Sequence, residues 1–241
     1  TSRYARHDST EVLMLAWAFD GGPVEQWSPI TDGPELPEEI QDAIDDPETM
    51  FHAWNTAVER AIWRHVLKIE IPVRRFRDPM VVAHSLSFPG SLGKVGVILG
   101  VPDDKKKDAR GKALIRKFCQ PRKPTKGKPW TRATHETDPE DWQEFLDYNR
   151  QDVVAEESNW GRMRKWDMPA HEWELWAIDQ EINDAGVPIN MPAVHAAKRA
   201  ASYITTDRLS QLRELTGVSN PTYGAQLSPW LQSAGYPYDD L

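Results

Sequence analysis

Residues 50–67, MFHAWNTAVERAIWRHVL, pass from one kind of local structure to another. Met50 to Trp54 is rich in aromatic residues and reads as a strand. From Thr56 to about Leu67 the apolar positions Val58, Ile62 and His65–Val66 recur at helical spacing, which predicts a helix with one buried face. A strand running directly into a helix is the local signature of an α/β layer.

The flanking segments extend this reading. Glu11 to Asp20 (EVLMLAWAFD) reads as a buried strand, Gly21-Gly22 as a turn and Val24 to Trp27 as a hairpin partner. Pro37 to Asp45 reads as a short acidic helix. Arg77-Asp78-Pro79 marks a turn, Met80 to Leu86 a short helix, and Ser91 to Gly100 another. Ala109 to Cys119 is helix-compatible, and the basic residues after it read as an extended loop. A long helix is predicted from Asp138-Pro139 through Trp160, another from Pro169 to near Gly186, a third over Ala193–Thr216, and a short one over Ala225–Ser233. Strands come first and helices follow, so the expected organisation is α/β and then all-helical.

Composition narrows the chemistry. The chain has 241 residues and a net charge of −8, which, read whole, argues against a nucleic-acid partner. That balance hides a concentrated exception. Lys105 to Arg132 holds 12 of the 29 Lys and Arg residues and a single acid, Asp108. It reads as a phosphate track, with Phe118 and Trp130 able to stack; a loop balanced by counterions is the competing reading. No apolar run is long enough to span a membrane. The lone Cys119 excludes an intrachain disulfide and points to a reducing compartment. The seven His show no H-x-x-x-H spacing, and neither a P-loop, a G-x-G-x-x-G turn nor a G-x-S-x-G elbow occurs. The 11 Trp are expected mostly in the core, among them Trp17, Trp173 and Trp176.

Two constellations carry possible chemistry. Glu59 lies one turn into the helix after Asn55, where it could face a metal at the end of a strand. The competing reading is a capping box, in which Thr56 caps the helix and Glu59 reaches back to the Thr56 N–H. Tyr148 and Asp152 are four apart on a predicted helix and share a face; a surface pair is the alternative. Asp147, Glu156 and Glu157 read as solvated charges.

Taken in order, these pieces resemble a known family: the 3′-5′ proofreading exonuclease region of phage-type family A DNA polymerases, of the tyrosine-type DEDD superfamily. The run SRYARHDSTEVLMLAWAFDGGPVEQW resembles its second and third strands, and AWNTAVERAIW its second motif. RDPMVVAHSLSFPGSLGKVGVILG and KALIRKFCQP resemble the stretches between the motifs, and EFLDYNRQDVVAEE the third motif, Y-x-x-x-D. AIDQEINDAGVPIN and SNPTYGAQLSPWLQSAGY resemble the helical approach to the polymerase domain. Two departures stand out. Glu59 occupies a position where the family often has Asp, and Trp54 one where His commonly precedes the Asn. The family's first motif, D-x-E on the leading strand, has no match; Asp8 and Glu11 are three apart, and Asp20 follows the next strand. It is expected before Thr1, and without it the chain is expected to show weak or no catalysis.

The resemblance implies a ribonuclease H-like fold, a mixed central sheet flanked by helices and lacking its first strand. It implies an exonuclease domain over residues 1–165 and a helical segment over 166–241 that leads to a covalently linked polymerase domain. It implies two divalent ions, Mg²⁺ or Mn²⁺, about 3.5–4 Å apart. Glu59 and Asp152 would be ligands and Tyr148 would orient the water. Asn55 would steady the terminal nucleotide or the second-motif backbone, Trp54 is the candidate for stacking on a base, and Lys105, Lys106, Lys107 and Arg110, from the basic stretch, are the candidates for the phosphates. The implied substrate is the 3′ end of single-stranded or primer–template DNA, and the implied location the cytoplasm, that of a bacterial host if phage-encoded. A catalytically inactive DNA- or partner-binding scaffold and an RNA-trimming nuclease are the competing functions.

Overall fold

The computed structural model describes residues 2–102, 110–127 and 132–236. Lys105, Lys106 and Lys107, with Trp130, lie outside the described residues. The chain divides into two compact units, Thr1–Asp184 and Ala185–Leu241.

The first unit is mixed α/β and mostly helical. After a single helical turn, α1 (Ser2–Ala5), strands β1 (Leu15–Trp17) and β2 (Glu25–Trp27) form an antiparallel hairpin in which Leu15 faces Trp27 and Trp17 faces Glu25. The hairpin turns at Asp20 and Gly21, both with left-handed φ, and Gly22 approaches the Phe19 carbonyl so closely that a Cβ would lie 2.9 Å from it. The strand read over Glu11–Asp20 is thus much shorter than expected. Only three residues find a ladder partner, and the Leu13 carbonyl accepts the Ser28 hydroxyl at 2.7 Å instead of a strand N–H. Helix α2 (Glu38–Asp45) follows, then strand β3 (Phe51–His52), which pairs in parallel with β4 (Phe76–Arg77). The strands form two separate pairs rather than one central sheet among the described residues.

Helix α3 (Ala57–Ile62) runs into a π-helical turn at Trp63–Leu67, which ends on left-handed Lys68. The face expected to be buried is not the one that packs. Val58 is 37% exposed, whereas Thr56, Arg60 and Trp63 point inward. Helices α4 (Pro79–Ser85), α5 (Leu92–Ile98) and α6 (Gly111–Cys119) all pack against α7 (Pro139–Met163). At a rise of about 1.5 Å per residue, α7 is long enough to join two cores. One contains Leu114, Phe118, Trp142, Phe145 and Tyr148; the other contains Val82, Ala83, Val95, Met163 and Trp173. A third core, of Ile40, Trp63, Ile71 and Phe76, lies around β4.

Helix α8 (Ala170–Ala185) belongs to the first unit. Trp173 and Ala177 are buried on it. Arg74 pairs with Glu174 and Glu181, and the buried Arg60 with Asp184. The first compact unit therefore runs to Asp184 and takes in the start of the segment that the resemblance assigns to the helical approach. The second unit consists of α9 (Met191–Thr216), capped by the Asn190 side chain and stopped at left-handed Gly217, and α10 (Gly224–Ser233). Neither helix has a buried residue. No helix among the described residues is long and apolar enough to cross a membrane.

Candidate active site

The parallel pair β3–β4 places two chain segments side by side at its C-terminal edge, where α/β proteins commonly build sites. The ladder continues one step through Ala53 N–H to the Arg77 carbonyl, 3.3 Å. Beyond it, one segment turns through Asn55 into α3, and the other turns through Asp78 into α4. Asn55 has φ +69°, a left-handed conformation that Asn tolerates better than most residues. The Asp78 carboxylate accepts the backbone N–H groups of Asn55 (2.9 Å), Thr56 (3.0 Å) and Met80 (3.0 Å), and the Thr56 hydroxyl at 3.3 Å.

This arrangement excludes the capping-box reading of Glu59. Thr56 makes no side-chain cap to α3. Its N–H, which a capping box would give to Glu59, goes to Asp78 instead. One Glu59 oxygen, Oε2, is buried and has no hydrogen-bond partner among the described residues. Burial pushes the Glu59 carboxyl up to about 7, opposed by its own backbone N–H and reinforced by the charge of Asp78.

Helix α7 brings a further acid to the same place. Burial pushes Glu156 up to about 8; the backbone N–H of Trp54 opposes this, and the charges of Glu59, Asp78 and Asp152 add to it. Glu156 therefore lies within electrostatic reach of three other carboxylates drawn from three elements. From sequence alone Glu156 reads as a solvated charge. The available signal was its spacing: Tyr148, Asp152 and Glu156 fall four apart on one face of α7. Asp78 likewise reads from sequence as part of a turn, although an Asp ahead of Pro79 is a helix-start pattern.

Tyr148 is buried. Its ring stacks on Phe145 with centroids 6.3 Å apart and lies against Gly111, the first residue of α6. Trp54 is half-buried among the residues of the second core, and its indole N–H donates to the Gly90 carbonyl at 2.9 Å. Arg110 pairs with Glu144 on α7. Further along the basic stretch, Lys117 pairs with Asp138 and Asp141, and Arg132 with Glu11. A cleft of about 350 Å³ at the end of α6 is bordered by Arg116, Lys117 and Arg122.

The donors suit a hard divalent cation. They are carboxylate oxygens, one is buried without a partner, and burial, helped by neighbouring negative charge, disfavours the ionised forms of Glu59 and Glu156. Among the described residues, however, no three acidic, His or Cys side chains converge closely enough to ligate one ion.

Comparison with known proteins adds an independent observation. The chain is 35% identical over 240 residues to a DNA polymerase of Bacillus phage SP02. The match covers 99% of this chain and 36% of that protein. The chain is thus similar in sequence to a part of a phage DNA polymerase. It spans about a third of the length of the relative it matches. No family model and no solved structure matches it.

Proposed function

We propose that this polymerase-related region is a 3′-5′ proofreading exonuclease of the tyrosine-type DEDD class, with a ribonuclease H-like fold, acting on the 3′-terminal phosphodiester of single-stranded DNA. The observation that carries the reading is the meeting of two motifs far apart in sequence. Glu59 on α3 and Asp152 on α7 both act electrostatically on Glu156, which supports reading the second- and third-motif carboxylates as parts of one site. A linked polymerase domain and primer–template DNA are the partners this reading supplies.

Glu59 and Asp152 would hold Mg²⁺ or Mn²⁺, which when bound supplies neutralising charge at the phosphate and lowers the pKa of a water. Tyr148, one turn before Asp152, would orient the attacking water through its hydroxyl. Trp54 and Asn55, at the end of β3, would flank the terminal nucleotide. Arg110, with Lys105, Lys106 and Lys107, would follow the phosphates of the strand behind it.

The test is a 5′-labelled single strand incubated with the intact protein and Mg²⁺. Stepwise shortening from the 3′ end is expected, and its loss in a Glu59→Ala, Asp152→Ala double variant. No shortening, or equal shortening by the double variant, would overturn the reading. The incomplete convergence of ligands favours one alternative, a non-catalytic DNA-binding scaffold. Its mark would be retention of the strand without shortening. A matched RNA strand run in parallel separates a DNA nuclease from an RNA-trimming one.

A further inference from the structure

Asp78 accepts more hydrogen bonds than a helix cap needs. An N-cap side chain satisfies one N–H in the first turn of its helix, and Asp78 does so through Met80 N–H at 3.0 Å. Ser or Asn would serve equally well and would bury no charge. Yet Asp78 is an acid only 4% exposed, and its other three hydrogen bonds all go to the neighbouring segment, at Asn55 and Thr56. Capping of α4 does not account for these.

What they hold is a turn that does not hold itself. Asn55 is left-handed, a conformation with a backbone cost for any residue with a Cβ. Thr56 starts α3 without a side-chain cap. The N–H groups of Asn55 and Thr56 have Asp78 as their acceptor. The turn leads directly into the helix that carries Glu59 a single turn later, so a change in the path of 55–56 moves that carboxyl.

We infer that Asp78 is a positioning residue that bridges the ends of β3 and β4, holds the left-handed turn at Asn55, and thereby sets where Glu59 stands. Its effect on turnover rests on the nuclease reading; its hold on the turn does not. Replacing it with Asn leaves a single acceptor oxygen and turns an amide NH₂ toward backbone donors, so at least one N–H of the turn loses its partner. Replacing it with Ser keeps a cap for Met80 but cannot span to both residues of the turn.

The experiment compares wild type, Asp78→Asn and Asp78→Ser by amide hydrogen exchange and by kinetics on a 5′-labelled single-stranded oligonucleotide with Mg²⁺. In the wild type the Asn55 and Thr56 amides should be protected by about a hundredfold or more. In both variants their exchange should quicken by about tenfold or more, while α7 amides stay as they were. The kcat should fall by about tenfold or more with KM within about twofold. In a Glu59→Gln background the same change should cost nothing further, because one residue acts through the other. Unprotected wild-type amides, an Asp78→Ser protein indistinguishable from wild type, or losses that multiply with Glu59→Gln would overturn the inference. If the wild-type protein shortens no strand, the nuclease reading fails, and the exchange comparison still decides whether Asp78 holds the turn.

Discussion

At the scale of single residues, the site is defined by carboxylates kept under electrostatic stress. Glu156 is pushed from 4.5 up to about 8 and Glu59 from 4.5 up to about 7, burial being the larger cause for each. The folded protein therefore holds protons on both groups at pH values where the unfolded chain has released them. Stability from this source is complete below about pH 4.5 and is lost as pH rises through 7 to 8. With divalent ions chelated, the melting temperature should fall between pH 5 and pH 8. Each proton retained on folding corresponds to about 1.4 kcal/mol per pH unit. Glu156→Gln should flatten the profile, since an amide has no charge to bury. Mg²⁺ should raise the melting temperature at pH 8 more than at pH 5 in the wild type, because an ion that binds only the folded state stabilises it. Melting curves at the two pH values, with chelator and with Mg²⁺, check both; a flat wild-type profile would remove the acidic cluster from the account.

At the scale of elements, α6 and α7 meet at one glycine. A Cβ on Gly111 would lie 1.8 Å from Tyr148 Cε2 and 2.1 Å from Cζ. In an exposed helix, Gly→Ala stabilises by about 1 kcal/mol. Here the ring has little room to move, because it stacks on Phe145 and belongs to a core with Leu114, Phe118 and Trp142. Overpacking of this kind costs about 1–3 kcal/mol. Gly111→Ala should therefore lower the melting temperature, and any nuclease activity with it, because Tyr148 is displaced. A stabilised Gly111→Ala protein would show that α6 does not seat on Tyr148 as described. The helices themselves were legible in sequence to within a few residues, because Pro139, Pro169, Gly186 and Gly217 mark their ends. The short strands were not, since Glu11–Asp20 has strand composition throughout and only a partner strand decides which residues pair. Resemblance and spacing single out Glu59, Tyr148 and Asp152 as candidates. Asp78 and Glu156 are not singled out, because their roles are hydrogen bonds and charge contacts to residues far away in the chain.

At the scale of the whole molecule, the informative feature is where the first unit ends. Sequence order suggested a division at 165/166, since an all-helical stretch follows. The contacts of α8 tie that helix to the first compact unit. Trp173 belongs to the second core, Ala177 is buried on the same helix, and the Arg77 guanidinium lies 4.9 Å from the Trp173 ring centroid. Arg60, only 8% exposed, has its charge answered by Asp184 and a hydrogen bond to Gln180 at 2.9 Å. Removing α8 would uncover the second core and leave a buried guanidinium without its carboxylate. Loss of a buried Trp alone costs about 3–5 kcal/mol, and breaking a buried ion pair by deleting one partner costs a similar amount. Those losses are comparable to the stability of a typical domain. A protein ending at Asp184 should therefore unfold cooperatively, with a melting temperature close to that of the 241-residue chain. A protein ending at Lys165 should melt far lower or expose enough apolar surface to bind a hydrophobic dye at room temperature. Circular dichroism melts and dye binding on the two truncations distinguish these outcomes. Equal stability of both would mean that α8 is peripheral and that the unit closes at the end of α7, as the sequence alone suggested.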